Sequence, residues 1–155
     1  MNAAEQLMSS YDYLTYKYEP LMPEHQAGLI IGKTVYLRPG QSSELLAQTV
    51  SEEIGHYLTS VGDISDTDSP EHRKQEEKAR DVGATLVVTP EHLLECFEAG
   101  LATCWECAEY LEVPLETLQR AVSVYAKSNN GKLKYNHYTF YFNADGTINI
   151  IDWLN

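Results

Sequence analysis

Two adjacent glutamates and a histidine, Glu52, Glu53 and His56, are the residues whose types and spacing best suit chemistry. Successive residues on a helix turn by about 100°, so Glu52 and His56 lie about 40° apart on one side, with Glu53 between them and the apolar stripe. A zinc peptidase needs two ligands one turn apart on a rigid helix. It also needs a carboxylate, at the second position, that takes the proton of the attacking water. The usual spelling is His-Glu-x-x-His. Here Glu52 stands where the first histidine normally stands and offers a harder, more charged oxygen donor.

A third ligand must come from elsewhere in the chain. Glu76 precedes Ala79 by three and Gly83 by seven, which places it on the inward stripe of its own helix. A carboxylate left unpaired there costs roughly several kcal/mol, and a bound cation removes that cost. Glu77 and Asp63 are fallback ligands. The plainer alternative is a solvated helix face, on which His56 caps a turn or pairs with Glu52. Glu76 likewise sits in His72-Arg73-Lys74-Gln75-Glu76-Glu77-Lys78, a mixed-charge stretch that needs no function, and only its phase argues otherwise.

The elements that must carry these residues are legible in outline. Leu46, Val50, Ile54, Tyr57 and Val61 recur at threes and fours, so a buried amphipathic helix runs from Ser42 to about Val61. Ser69-Pro70 supplies an N-cap and a first-turn proline for the next helix, whose inner stripe is Ala79, Val82, Gly83 and Leu86. Upstream, a short helix over about 3–12 gives way to a strand at Tyr13–Tyr18. Leu29-Ile30-Ile31 and Thr34-Val35-Tyr36-Leu37 flank Gly32-Lys33, a Gly-first hairpin turn, so the N-terminal third reads as a small antiparallel sheet. Downstream, Thr89-Pro90 starts a helix ending near Gly100, and Thr103-Cys104-Trp105-Glu106 spells a capping box for another. Pro114 opens a last helix, and Asn143-Ala144-Asp145-Gly146 joins the two strands of a terminal hairpin. The expectation is an α+β chain of one domain, 1–155, with helix and sheet in 1–41, active-site helices in 42–88, and a helical region and hairpin in 89–155.

Charge narrows the partners. Lys and Arg number 11 against 23 Asp and Glu, a formal charge of -12 that repels a phosphate backbone. No run approaches the roughly 18 apolar residues of a membrane span, and Met1-Asn2-Ala3-Ala4-Glu5-Gln6-Leu7 lacks a basic stretch followed by an apolar one. A cytoplasmic protein that touches neither membrane nor nucleic acid is expected. Three cysteines, Cys96, Cys104 and Cys107, leave one over in any pairing and suit a reducing compartment.

Taken in order, Val50-Ser51-Glu52-Glu53-Ile54-Gly55-His56-Tyr57 and Thr59-Ser60-Val61-Gly62-Asp63 resemble the active-site segment of the ImmA/IrrE family of metallopeptidases. Arg73-Lys74-Gln75-Glu76-Glu77-Lys78-Ala79-Arg80, closing at Pro90, is similar to that family's second conserved helix, where a Glu three residues before an Ala supplies the third ligand. Ala108-Glu109-Tyr110-Leu111-Glu112-Val113 is similar to the phage and mobile-element branch, so the resemblance covers nearly the whole chain. It implies a zincin-like domain binding Zn²⁺ through His56 and Glu76, with Glu52 as the substitute for the missing histidine ligand and Glu53 as general base. It also implies an endopeptidase that cuts a helix-turn-helix repressor of a prophage or mobile element, so that silenced genes are expressed.

Two further readings of function stay open. An antirepressor would mask the repressor without cutting it, and Glu52 in place of histidine favours that version. An acidic DNA-binding regulator would use residues 104–128, two helices joined by a tight turn. Against it, Glu106, Glu109, Glu112 and Glu116 crowd that pair, where Arg120 and Lys127 are the basic residues. Cys104-Trp105-Glu106-Cys107 spells CxxC but opens a helix, which fits buried, inert thiols better than a redox or metal site. Tyr11, Tyr13, Tyr16 and Tyr18 suit sheet and core packing as well as any stacking surface.

Overall fold

The computed structural model describes residues 1–60 and 69–154, so Val61 and Asp63 lie outside the described residues. In chain order the elements are α1 (Ala3–Ser10), β1 (Thr15–Tyr18), β2 (Gly28–Ile31), β3 (Thr34–Leu37), α2 (Ser43–Thr59) and α3 (Pro70–Val87). They are followed by α4 (Pro90–Glu98), α5 (Cys104–Leu111), α6 (Leu115–Lys127), β4 (Lys132–Tyr135), β5 (Tyr138–Phe142) and β6 (Ile148–Asp152). Helices and two small sheets make the chain α+β. Among the described residues no helix is long and apolar enough to cross a membrane.

The first sheet has the order β1-β3-β2 and is mixed, which corrects the expectation of an antiparallel one. β2 and β3 form the expected hairpin, with Gly32 at φ +60° in the first turn position. β1, however, runs parallel to β3, Thr15 facing Thr34 and Tyr18 facing Leu37. Parallel pairing requires a crossover, and the segment between β1 and β2 provides it by carrying the chain to the far side of β3. This leaves β2 at an edge, beside α2.

α2 starts where expected. The Ser42 side chain accepts a hydrogen bond from the Leu45 amide, satisfying one of the orphan donors of the first turn. Val50 and Ile54 are fully buried, each contributing about 1.5–3 kcal/mol by transfer from water. They share one core with Val35 and Leu37 of β3, Leu7 of α1 and Ala84, Val87 and Val88 at the end of α3.

α2 and α3 form the most extensive helix pair, and glycine sets their separation. A Cβ on Gly55 would lie 2.1 Å from the Ala79 carbonyl oxygen, and one on Gly83 would lie 2.5 Å from the Ser51 carbonyl oxygen. The two backbones therefore touch through paired glycines, closer than any side chain permits.

At the C-terminal end the expected hairpin is part of a three-stranded antiparallel sheet, β4-β5-β6. The extra strand, β4, pairs Lys132 with Tyr141 and Tyr135 with Tyr138. Phe140 is fully buried, and Phe142 stacks on Tyr125 of α6. At α5 the Thr103 side chain caps the Glu106 amide, but the Glu106 carboxylate accepts from Ala102 rather than Thr103, so the capping box is incomplete.

Candidate active site

α2 and α3 lie side by side with β2 against the first, and the polar side chains along this seam line a cleft of about 540 Å³. Glu53 points from α2 toward β2. The strand comes close because Gly28 has no side chain: a Cβ there would lie 3.1 Å from Glu53 Cγ. Burial, then the neighbouring charges of Glu52 and Glu76, push the Glu53 carboxyl up to about 7, against a smaller opposing pull from a backbone hydrogen bond at Ile30.

His56, one turn along α2, reaches across to α3. Its Nε2 lies 3.3 Å from Glu76 Oε2. The other oxygen of Glu76 lies 3.5 Å from Nε2 of His72, one turn earlier on α3. Nδ1 of His72 is buried and, among the described residues, has no hydrogen-bond partner.

Glu52 leans the other way. Gln48 Nε2 donates to its Oε1 at 3.4 Å, and Arg80 Nε stands 4.0 Å from the same oxygen. Its carboxyl is raised by burial foremost and by Glu116, with Arg80, Gln48 and His56 pulling it down. Glu52 and Arg80 also line a second, larger cleft of about 960 Å³ between α2, α3 and α6.

Of the residues singled out by spacing, then, Glu53, His56 and Glu76 come together on one cleft, while Glu52 borders it with its carboxylate engaged by Gln48 and Arg80. The fallback Glu77 is exposed and paired with Arg80 and Arg120, on the far side. His72 and Arg80 were not picked out by spacing. His72 had a signal: it precedes Glu76 by four and Ala79 by seven, the same inward phase. Among the described residues, no three His, Cys, Asp or Glu side chains converge as a finished metal-binding group.

The model of the IrrE N-terminal-like domain, peptidase M78, matches residues 8–123, about three quarters of the chain. The chain belongs to this family. Neither a curated protein nor a solved structure matches it. The matched stretch of the IrrE N-terminal-like domain holds α2, α3 and every residue of the cleft, and stops short of the β4-β5-β6 sheet. The M78 family is one of metallopeptidases, and the donors present suit a metal of that kind. Zinc takes nitrogen and oxygen ligands at about 2.0–2.1 Å in a tetrahedron, which sets neighbouring ligand atoms roughly 3.3 Å apart. The His56 to Glu76 spacing of 3.3 Å fits that edge.

Proposed function

We propose that this chain is a zinc-dependent endopeptidase of zincin-like architecture that acts in the cytoplasm on a helix-turn-helix repressor of a prophage or mobile element. The observation that carries the chemistry is Glu53, a half-buried carboxylate with its pKa near neutrality, beside an imidazole and a carboxylate set at ligand spacing. His56 and Glu76 would hold the ion, and Glu52 would join them by releasing Gln48 and Arg80. When bound, zinc supplies Lewis-acid polarisation of the scissile carbonyl and a lowered pKa for water.

The chain's own residues do the rest. Glu53 accepts a proton from water as the water oxygen bonds to the carbonyl carbon. It then passes that proton to the amine nitrogen as the carbon–nitrogen bond breaks. A base works best when its pKa lies near the working pH, which is where burial and like charge hold Glu53. β2 is an edge strand along the cleft, and an extended peptide paired with it would run past Glu53. The resemblance of the helical segments to the phage and mobile-element branch supports a repressor as the substrate.

One observation favours the masking alternative: Glu52 is engaged by Gln48 and Arg80. The DNA-binding version is weakened by Arg120, whose guanidinium lies 2.9 Å from both Glu77 and Asp81. Co-expression with the neighbouring repressor separates the first two, with repressor length followed by mass spectrometry and its promoter by a reporter. Cleavage by wild type and none by Glu53→Gln, at equal metal content, is expected. Equal derepression by both proteins with the repressor intact would replace the peptidase reading with masking.

A further inference from the structure

We infer that the larger cleft, between α2, α3 and α6, extends the substrate groove on one side of the scissile bond and receives an acidic side chain of the substrate at Arg38 and Lys127. This rests on the peptidase reading and deepens it. The two clefts are continuous, since Ala27, Thr49, Glu52 and Arg80 line both. Ala27 directly precedes β2, and its carbonyl accepts a hydrogen bond from the Arg38 amide at 2.9 Å. A peptide paired along β2 past Glu53 therefore leaves that strand, at its Gly28 end, beside Arg38. The cleft beyond is long enough to hold it. Glu116 and Lys127 both line that cleft, so it follows α6 for about 16 Å, the length of roughly five extended residues.

Charge on the walls sets the residue type. Four of the chain's 11 Lys and Arg line this cleft, although the chain as a whole carries a formal charge of -12. The carboxylates beside them are met by the protein itself. Gln48 donates to Glu116 at 2.6 Å and, with Arg80, engages Glu52, while Arg120 holds both Glu77 and Asp81 at 2.9 Å. Two of the cations are not so met. Among the described residues neither Arg38 nor Lys127 faces a carboxylate, and the half-buried Arg38 guanidinium donates to the Glu24 carbonyl alone. The unmatched charge in the cleft is therefore positive, and the group that completes it is an anion. A peptide arriving from β2 supplies one as the carboxylate of Asp or Glu, which a guanidinium fork and an ammonium both bind.

Zinc-loaded protein is incubated with a proteome-derived peptide library, and the cut sites are read by mass spectrometry. Asp and Glu should be enriched within about five residues on one side of the cut and not on the other. In peptide pairs that differ as Glu against Gln at the enriched position, kcat/KM should favour Glu by roughly 10-fold, each partly exposed ion pair giving up to about five-fold. That ratio is taken within one protein, so partial folding of a variant leaves it unchanged. It should fall toward unity in the double variant Arg38→Gln, Lys127→Gln and in 1 M salt. Where the library goes uncut, the same Glu and Gln exchanges are made in the co-expressed repressor around its own cut site. Cleavage without acidic enrichment, or a Glu preference that survives the double variant, overturns the assignment and leaves the peptidase reading standing. Wild type that cuts neither library nor repressor overturns both.

Discussion

Replacing Gly55 with alanine places a methyl group against backbone that has no way to step aside. The new Cβ would lie 2.1 Å from the Ala79 carbonyl oxygen and 3.1 Å from the Gly83 amide nitrogen, both in α3. Restoring ordinary contact at 3.4 Å requires about 1.3 Å of separation between α2 and α3. Overpacking of this kind costs about 1–3 kcal/mol, and rigid backbone on both sides sets it at the upper end. Alanine's better helix propensity returns about 1 kcal/mol. The net is a loss of about 2 kcal/mol, or roughly 4–8 °C in Tm for a chain of this size. The same displacement draws Glu76 away from His56, so zinc affinity should fall as well. Calorimetric melting in chelator, followed by zinc titration, reads both. A Tm within about 1 °C of wild type with unchanged zinc affinity would refute the close contact of the helices.

Metal-free Glu53→Gln should differ from wild type in a pH-dependent way. The folded protein keeps the Glu53 proton up to about 7, while the unfolded chain releases it near 4.5, so wild type loses stability as pH rises through that window. At about 1.36 kcal/mol per pH unit the loss reaches up to about 3 kcal/mol above pH 7. Glutamine carries no such loss, and parallel stability curves from pH 5 to 8 in chelator would count against the raised carboxyl. Arg120→Ala removes two contacts tying α6 to α3, at Glu77 and Asp81. Because that arginine is one-third exposed, the cost should be only about 1 kcal/mol and should shrink in 1 M salt; an equal loss at both salt concentrations would mean that packing, not charge, is at work. Cys96, its thiol pushed up to about 12 by burial and by Cys107, should resist alkylation in the native protein at pH 8 and label after unfolding; rapid native labelling would contradict its burial.

Where local chemistry decides, the sequence could be read. Ser42 and Ser69 cap their helices, Gly32 takes the turn, and Val50 and Ile54 fall on the buried stripe. Where pairing between distant segments decides, it could not. The parallel partnership of β1 with β3 has no trace in Thr15–Tyr18, since either direction buries the same side chains. β4 went unseen because Lys132-Leu133-Lys134-Tyr135 is a short alternation behind Asn129, Asn130 and Gly131, all at positive φ, which read as loop. At the site, helical phase set Glu53, His56 and Glu76 on faces that line one cleft. The engagement of Glu52 by Gln48 and Arg80 depends on where α3 docks, and that is set by Gly55 and Gly83, whose importance shows only when the two backbones meet.

Metal stoichiometry tests the central claim most directly. Untagged protein is loaded with zinc, desalted and weighed by native mass spectrometry, with elemental analysis alongside. One Zn²⁺ per chain is expected in wild type and in Glu53→Gln, and none in His56→Ala at unchanged helical content. Wild-type protein that emerges free of zinc would contradict a metal site between α2 and α3, and with it the zinc-dependent peptidase.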